Sequence, residues 1–229
     1  MSFNIGIDLG GTFIKYGIVN EDGEIIEKGK AATPAGCGYA ETVEIIVSVT
    51  GKISAEHGAP VCGLGIGAPG VVDGEKDIVR SSGNLGWENK PLAEDLSERL
   101  GIPVTLANDA NAAAFGKYVC GAGKQYNSIV LITLGTGVGS GIVLNGKLYE
   151  GNEGAGAELG HEVIRVGGEK CACGRRGCFE AYASATALIR QTKRAMEKDR
   201  QSKLWQLCEG DINNVNGKTA FDGAAVGDK

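Results

Sequence analysis

The sequence has no excess of positive charge, no long apolar run and almost no histidine, and each shortage narrows the possible functions. A formal net charge of −5 runs against nucleic acid as a partner, because duplex-binding surfaces carry clustered Lys and Arg. No apolar stretch approaches the length that spans a bilayer, and Met1-Ser2-Phe3-Asn4 leads directly into an alternating pattern unlike a signal peptide. A cytoplasmic protein without a membrane partner is therefore expected. A disulfide framework is also missing: the seven cysteines are odd in number, and three crowd between Cys171 and Cys178 while Cys37, Cys62, Cys120 and Cys208 are scattered. That distribution points to a metal.

What is present is length and glycine. At 229 residues, 42% of them apolar, the chain is long enough for two modest domains. Many of its 38 glycines cluster beside Asp, Thr and Asn, which suggests turns that approach a ligand closely.

Phe3, Ile5, Ile7 and Leu9 alternate with polar or small residues and predict a half-buried strand ending at Asp8-Leu9-Gly10-Gly11-Thr12. Apolar runs at 13–19 and 24–31, separated by Asn20-Glu21-Asp22-Gly23, complete an antiparallel three-strand opening. Helical spacing covers 39–57, a buried strand 61–67, and a second helix begins at Pro91 and stops at Gly101. A strand at 102–107 delivers Asn108 and Asp109 to its carboxyl end, before an Ala-rich helix over 110–118. A first domain over 1–118 and a second over 119–229 follow. The second restarts the theme with a strand over 128–134, the turn Gly135-Thr136-Gly137-Val138-Gly139, a strand through Leu144 and a hairpin turn at Asn145-Gly146. One long helix is expected over 179–198, then a polar tail with a short helix from Ala220. No later strand closes the second sheet, so the second domain reads as incomplete at its C-terminus.

Three constellations carry chemistry. In Asp8-Leu9-Gly10-Gly11-Thr12, with Lys15 nearby, backbone N–H groups and a hydroxyl can meet phosphate oxygens, and the acid can hold hydrated magnesium. The turn around Thr136 and Gly137 repeats the pattern, although either turn alone also suits a plain hairpin. Asn108-Asp109 offers a carboxylate that can accept a hydroxyl proton while Asn108 orients that hydroxyl; the same pair also suits a helix N-cap. Its helix-terminal position should favour the ionised form. His161, Cys171, Cys173 and Cys178 supply one nitrogen and three thiolates, a closed tetrahedral zinc set that organises a loop and leaves no position for catalytic water. Glu158 and Glu180 flank this set and can accept hydrogen bonds from vicinal hydroxyls of a sugar. Glu162 and Asp73 read as solvated surface acids.

These residues resemble the ROK family of sugar kinases and regulators. The matching stretches are Asp8-Leu9-Gly10-Gly11-Thr12, Gly67-Ala68-Pro69-Gly70, Asn108-Asp109-Ala110-Asn111-Ala112, Leu134-Gly135-Thr136-Gly137-Val138-Gly139, Glu158-Leu159-Gly160-His161 and Gly177-Cys178-Phe179-Glu180, in family order along nearly the whole chain. The resemblance implies an α/β, actin-like ATPase (ribonuclease H-like) fold of two domains with a central cleft, its nucleotide between the glycine turns and its hexose in the cleft. It implies ATP, Mg2+ and structural Zn2+, Asp109 as base, and Asn108, Glu158, His161 and Glu180 on the sugar, with Gly70 and Asn84 lining the pocket. A homodimer is a family expectation, and a hinge near 107–120 is expected because cleft closure must exclude water during transfer. The segments Asn84-Leu85-Gly86-Trp87 and 180–186 lean toward glucokinases; kinases of N-acetylmannosamine, N-acetylglucosamine or fructose share the frame. Family regulators carry a helix-turn-helix domain ahead of the kinase-like part, and here the phosphate turn starts almost at once, which favours an enzyme. Similar kinases continue past the position of Lys229 into an adenosine-contacting segment, so a non-catalytic sugar-binding fragment is the rival reading.

Overall fold

The computed structural model describes residues 2–228. The alternation at the N-terminus becomes strand β1 (Phe3–Leu9), in which Phe3, Ile5, Ile7 and Leu9 are buried and Asn4 and Asp8 exposed. β2 (Phe13–Val19) and β3 (Ile25–Ala32) run antiparallel beside it, as the sequence predicts. α1 (Tyr39–His57) buries Val43, Ile46 and Ile53 and returns the chain to β4 (Val61–Ala68), parallel to β1. α2 (Leu92–Leu100) leads to β8 (Val104–Asn108), parallel to β4, and α3 (Asp109–Cys120) follows without a linker. The sheet order is β3-β2-β1-β4-β8.

Between β4 and α2 lies an antiparallel sheet absent from the sequence reading: β5 (Val71–Asp73), β6 (Ile78–Ser82) and β7 (Trp87–Lys90). Strands of three to five residues are too short to display alternation. They are held because Val72, Val79, Leu85 and Trp87 belong to the same buried cluster as β1 and α2. Asp73 is corrected here: it is only 5% exposed, and Arg80 donates to it at 2.7 Å, which holds its carboxyl below the ordinary carboxylate value.

A second sheet, β11-β10-β9, comprises β9 (Ile129–Leu134), β10 (Val138–Leu144) and β11 (Lys147–Leu148). The expected long helix is broken into α4 (Glu180–Ala183) and α5 (Ala185–Lys198). Ser184 interrupts it with an extended backbone (ψ 161°) and caps α5 by accepting from Ala187 N–H at 3.1 Å, because a serine hydroxyl offers the backbone an alternative to the helical ladder. α6 (Leu204–Leu207) and α7 (Thr219–Ala225) complete a small cluster around Met196, Leu204, Cys208 and Val215.

The chain forms two compact units: one comprises Met1–Leu131 and Gly141–Ala157, the other Ile132–Ser140 and Glu158–Lys229. Among the described residues, no helix is long and apolar enough to cross a membrane.

Candidate functional site

In the first unit, the strand register gathers the predicted residues. Asp8 lies opposite Gly67, and Ala68 opposite Asn108, so β1, β4 and β8 deliver their carboxyl ends to one edge of the sheet. The half-exposed Asp8 carboxylate sits 2.9 Å from Lys15, its cross-strand partner on β2. The turn after β1 is tight: Gly10 N–H donates to Phe13 O at 3.0 Å. Thr33, at the end of β3, grips it from behind, its hydroxyl donating to Gly10 O at 2.6 Å and its N–H to Thr12 O at 3.0 Å. Asn84 adjoins this turn, its carbonyl 3.6 Å from the place a side chain on Gly11 would occupy.

Asn108 is the N-cap of α3. Its Oδ1 accepts from Ala110 N–H and Asn111 N–H at 2.9 and 3.1 Å, while its Nδ2 donates to Gly70 O at 2.9 Å. One side chain thus fixes both the helix start and the Gly70 loop. Asp109 is the first residue of the helix proper. The helix start favours its ionised form, as expected, but is outweighed: desolvation pushes its carboxyl above the ordinary value of 3.8, and the charge of Asp8 adds to the rise. The backbone N–H of Ala110, 2.8 Å from Oδ1, opposes the shift without cancelling it. Asp109 keeps a solvent-facing side even so. Protein crowds the carboxylate from behind while one face stays open, which sets the direction of the shift and keeps its energetic weight small.

In the second unit, the turn carrying Thr136 and Gly137 rests on the broken helix. Ala185 N–H donates to Gly135 O at 2.9 Å, Thr186 hydroxyl to Thr136 O at 2.8 Å, and Val138 N–H to Glu180 Oε2 at 3.0 Å. A Cβ on Gly137 would press on the Glu180 carboxylate, so any larger residue there would require the Glu180 side chain to move. Glu180 faces the other way as well, its Oε1 accepting from Cys171 Sγ at 3.5 Å. Glu158 is exposed and opens the short 3-10 turn Leu159–His161, which Ser140 Oγ holds by accepting from Leu159 N–H at 3.0 Å.

His161, Cys171, Cys173 and Cys178 offer four ligand atoms within 4.8 Å of one another. Zinc–sulfur bonds of about 2.3 Å and zinc–nitrogen bonds of about 2.0 Å give tetrahedral edges of roughly 3.5 to 3.8 Å. The Cys171 Sγ to His161 Nδ1 and Cys173 Sγ to Cys178 Sγ separations are 3.6 and 3.7 Å, so these two edges match such an ion, and one nitrogen with three sulfurs is its ordinary donor set. The backbone N–H of Arg175 holds the Cys173 thiol down at about 6, whereas burial pushes Cys171 up to about 12. The loop turns through Gly177 (φ 84°), where a Cβ would strike Arg165 O.

Of the residues engaged here, Thr33 and Ser140 had no role in the sequence reading, since their contacts bridge 23 and 19 positions along the chain. Thr186 stood only inside a resembling segment; its hydroxyl bonds 50 residues away.

Two α/β units, each with a strand-turn-strand glycine loop, and a carboxylate at the end of a parallel strand define the actin-like ATPase fold. The ROK family model matches residues 4–220. The chain belongs to the ROK family. It is 42% identical over 226 residues to a glucokinase from Thermotoga maritima, covering 98% of this chain and 70% of that protein. It is 32% identical over 225 residues to a xylose repressor from Bacillus spizizenii, covering 96% of this chain and 58% of that one. Among solved structures, a ROK family glucokinase from Streptomyces griseus in complex with glucose and AMPPNP superimposes with a TM-score of 0.82 at 38% identity, covering 99% of this chain and 72% of that one.

Proposed function

We propose that the chain is an ATP-dependent hexose kinase that transfers the terminal phosphate to glucose, most directly to its 6-hydroxyl. The observation that carries this reading is Asp109: a carboxylate at the mouth of a parallel strand, open on one side, with its proton affinity raised by its surroundings. Raised affinity suits a base that must take a hydroxyl proton, since proton transfer is most effective when the base's pKa approaches the working pH. Asn108, held rigid by its capping bonds, would orient the hydroxyl, with Gly70 and Asn84 beside it. Glu158, His161 and Glu180 complete the sugar contacts in this reading. Asp8, Gly10, Gly11, Thr12, Lys15, Thr136 and Gly137 would receive the triphosphate.

Magnesium would be held by Asp8, as one carboxylate together with substrate phosphates is an ordinary magnesium donor set, and would neutralise charge on the transferring phosphoryl group. Zinc at His161, Cys171, Cys173 and Cys178 would fix the loop, since four protein ligands leave no position for water. The same proposal has the protein acting in the cytoplasm as a homodimer, without nucleic acid or membrane partner, and divides it into actin-like domains near residues 118 and 119. Limited proteolysis followed by mass measurement of the fragments tests that boundary.

The similarity to a xylose repressor favours one second reading, sugar binding without transfer. A coupled assay of ATP with glucose, N-acetylmannosamine, N-acetylglucosamine and fructose separates the two. Turnover highest with glucose is expected; turnover highest with another of the four would replace the substrate within the kinase reading. Calorimetric binding of a sugar with no turnover on any of the four would establish the second.

A further inference from the structure

We propose that Thr186 and Thr33 are paired positioning residues, each withdrawing a carbonyl of one glycine turn into the fold so that the turn presents donors, and not acceptors, to phosphate. The inference rests on the kinase reading for the identity of the ligand. At the second turn, two successive carbonyls are tied to the α4–α5 junction: Gly135 O by Ala185 N–H at 2.9 Å and Thr136 O by the Thr186 hydroxyl at 2.8 Å. A planar trans peptide points its C=O and N–H in opposite directions. Holding those two carbonyls therefore aims the N–H groups of Thr136 and Gly137 away from the helix, side by side. Adjacent N–H groups aimed the same way form a concavity that attracts anions.

The first turn is braced in a matching way by an unrelated element. Thr33 engages Gly10 O with its hydroxyl at 2.6 Å and Thr12 O with its N–H at 3.0 Å. Left unbraced, either carbonyl could swing outward and set a negative dipole against a phosphate oxygen. The residue type suits the task, because a threonine hydroxyl is a donor on a short side chain close to the backbone it braces. The device also explains the helix break at Ser184: an unbroken helix over 179–198 would tie Ala185 N–H into its own ladder and leave Gly135 O without that donor.

Thr186→Val and Thr33→Val keep the shape and delete the hydroxyl; Thr186→Ser and Thr33→Ser restore it. The binding of AMPPNP with magnesium and of inorganic tripolyphosphate is measured by calorimetry on the full chain, alongside KM for ATP and for hexose and the melting temperature. Each valine variant is expected to weaken AMPPNP and tripolyphosphate binding about fivefold, the effect of one net hydrogen bond. KM for ATP should rise in step, hexose affinity should hold, and serine should recover most of the loss. A purely structural role would instead lower the melting temperature without a selective effect on phosphate ligands. If the unaltered chain turns over ATP and the valine variants bind AMPPNP equally well, the bracing role is overturned and the kinase reading stands. If the serine variants lose as much as the valine ones, the role is packing and the proposal again fails. If the unaltered chain binds neither AMPPNP nor tripolyphosphate, both readings fall.

Discussion

Asp109 sits where two influences oppose each other, the donors of a helix start and the crowding of a sheet edge, and crowding prevails. Its folded pKa is raised, so the ionised form is disfavoured in the folded state. That penalty is fully present above the folded value and vanishes as pH falls below the unfolded one. Asp109→Asn should therefore melt no lower than the unaltered protein at neutral pH, and any gain should shrink on acidification; melts across pH check both. The acid limb of kcat/KM should lie above 3.8, the ordinary aspartate value, as read from a pH–rate profile. The position of Asp109 was legible in the sequence, because a strand pattern running into an Ala-rich helix puts an acid at the junction. The direction of its shift was not, since it arises first from desolvation by surroundings that close in only when the sheet folds, and then from the charge of Asp8. Asp73 was misread for a related reason: its partner Arg80 lies across a hairpin that short strands conceal.

Among the elements, the cysteine loop and the broken helix carry the sharpest tests. Gly174 and Gly177 both have positive φ (88° and 84°), but a Cβ at Gly174 meets open space whereas one at Gly177 strikes Arg165 O. Gly174→Ala should cost only the backbone term of about 1–2 kcal/mol. Gly177→Ala should cost more and reduce metal content. Denaturation curves and metal analysis of the two variants decide this, and equal effects would argue against a tightly determined loop. Ser184→Ala removes the cap of α5 and should destabilise by about 1 kcal/mol. The metal set was legible because one histidine and three closely spaced cysteines make up a closed donor set. The break at Ser184 was not: helical periodicity runs through it, and the competing bonds to Gly135 and Thr136 come from a turn some fifty residues earlier. The hairpin opening was readable from alternation and a glycine turn, while β5, β6 and β7 are stabilised by the shared core more than by any local pattern.

For the molecule as a whole, the repeated strand-turn-strand unit was the most informative feature of the sequence, since two glycine turns in comparable settings imply a shared ligand chemistry where one would imply only a hairpin. In the structure each turn follows a strand and is gripped by a threonine. The zinc reading has a global consequence: removal of the metal by a chelator should lower the melting temperature and expose Cys171 and Cys173 to thiol reagents, with readdition of zinc reversing both. No change in either would remove the metal from the account.

The central claim is that Asp109 acts as the base in phosphoryl transfer from ATP to a hexose. Its most direct test is glucose phosphorylation by the unaltered chain and by Asp109→Asn, with glucose binding to both followed by calorimetry. The account predicts that both bind glucose and that turnover in the variant falls by at least about 100-fold. Turnover by the variant equal to that of the unaltered chain would contradict it.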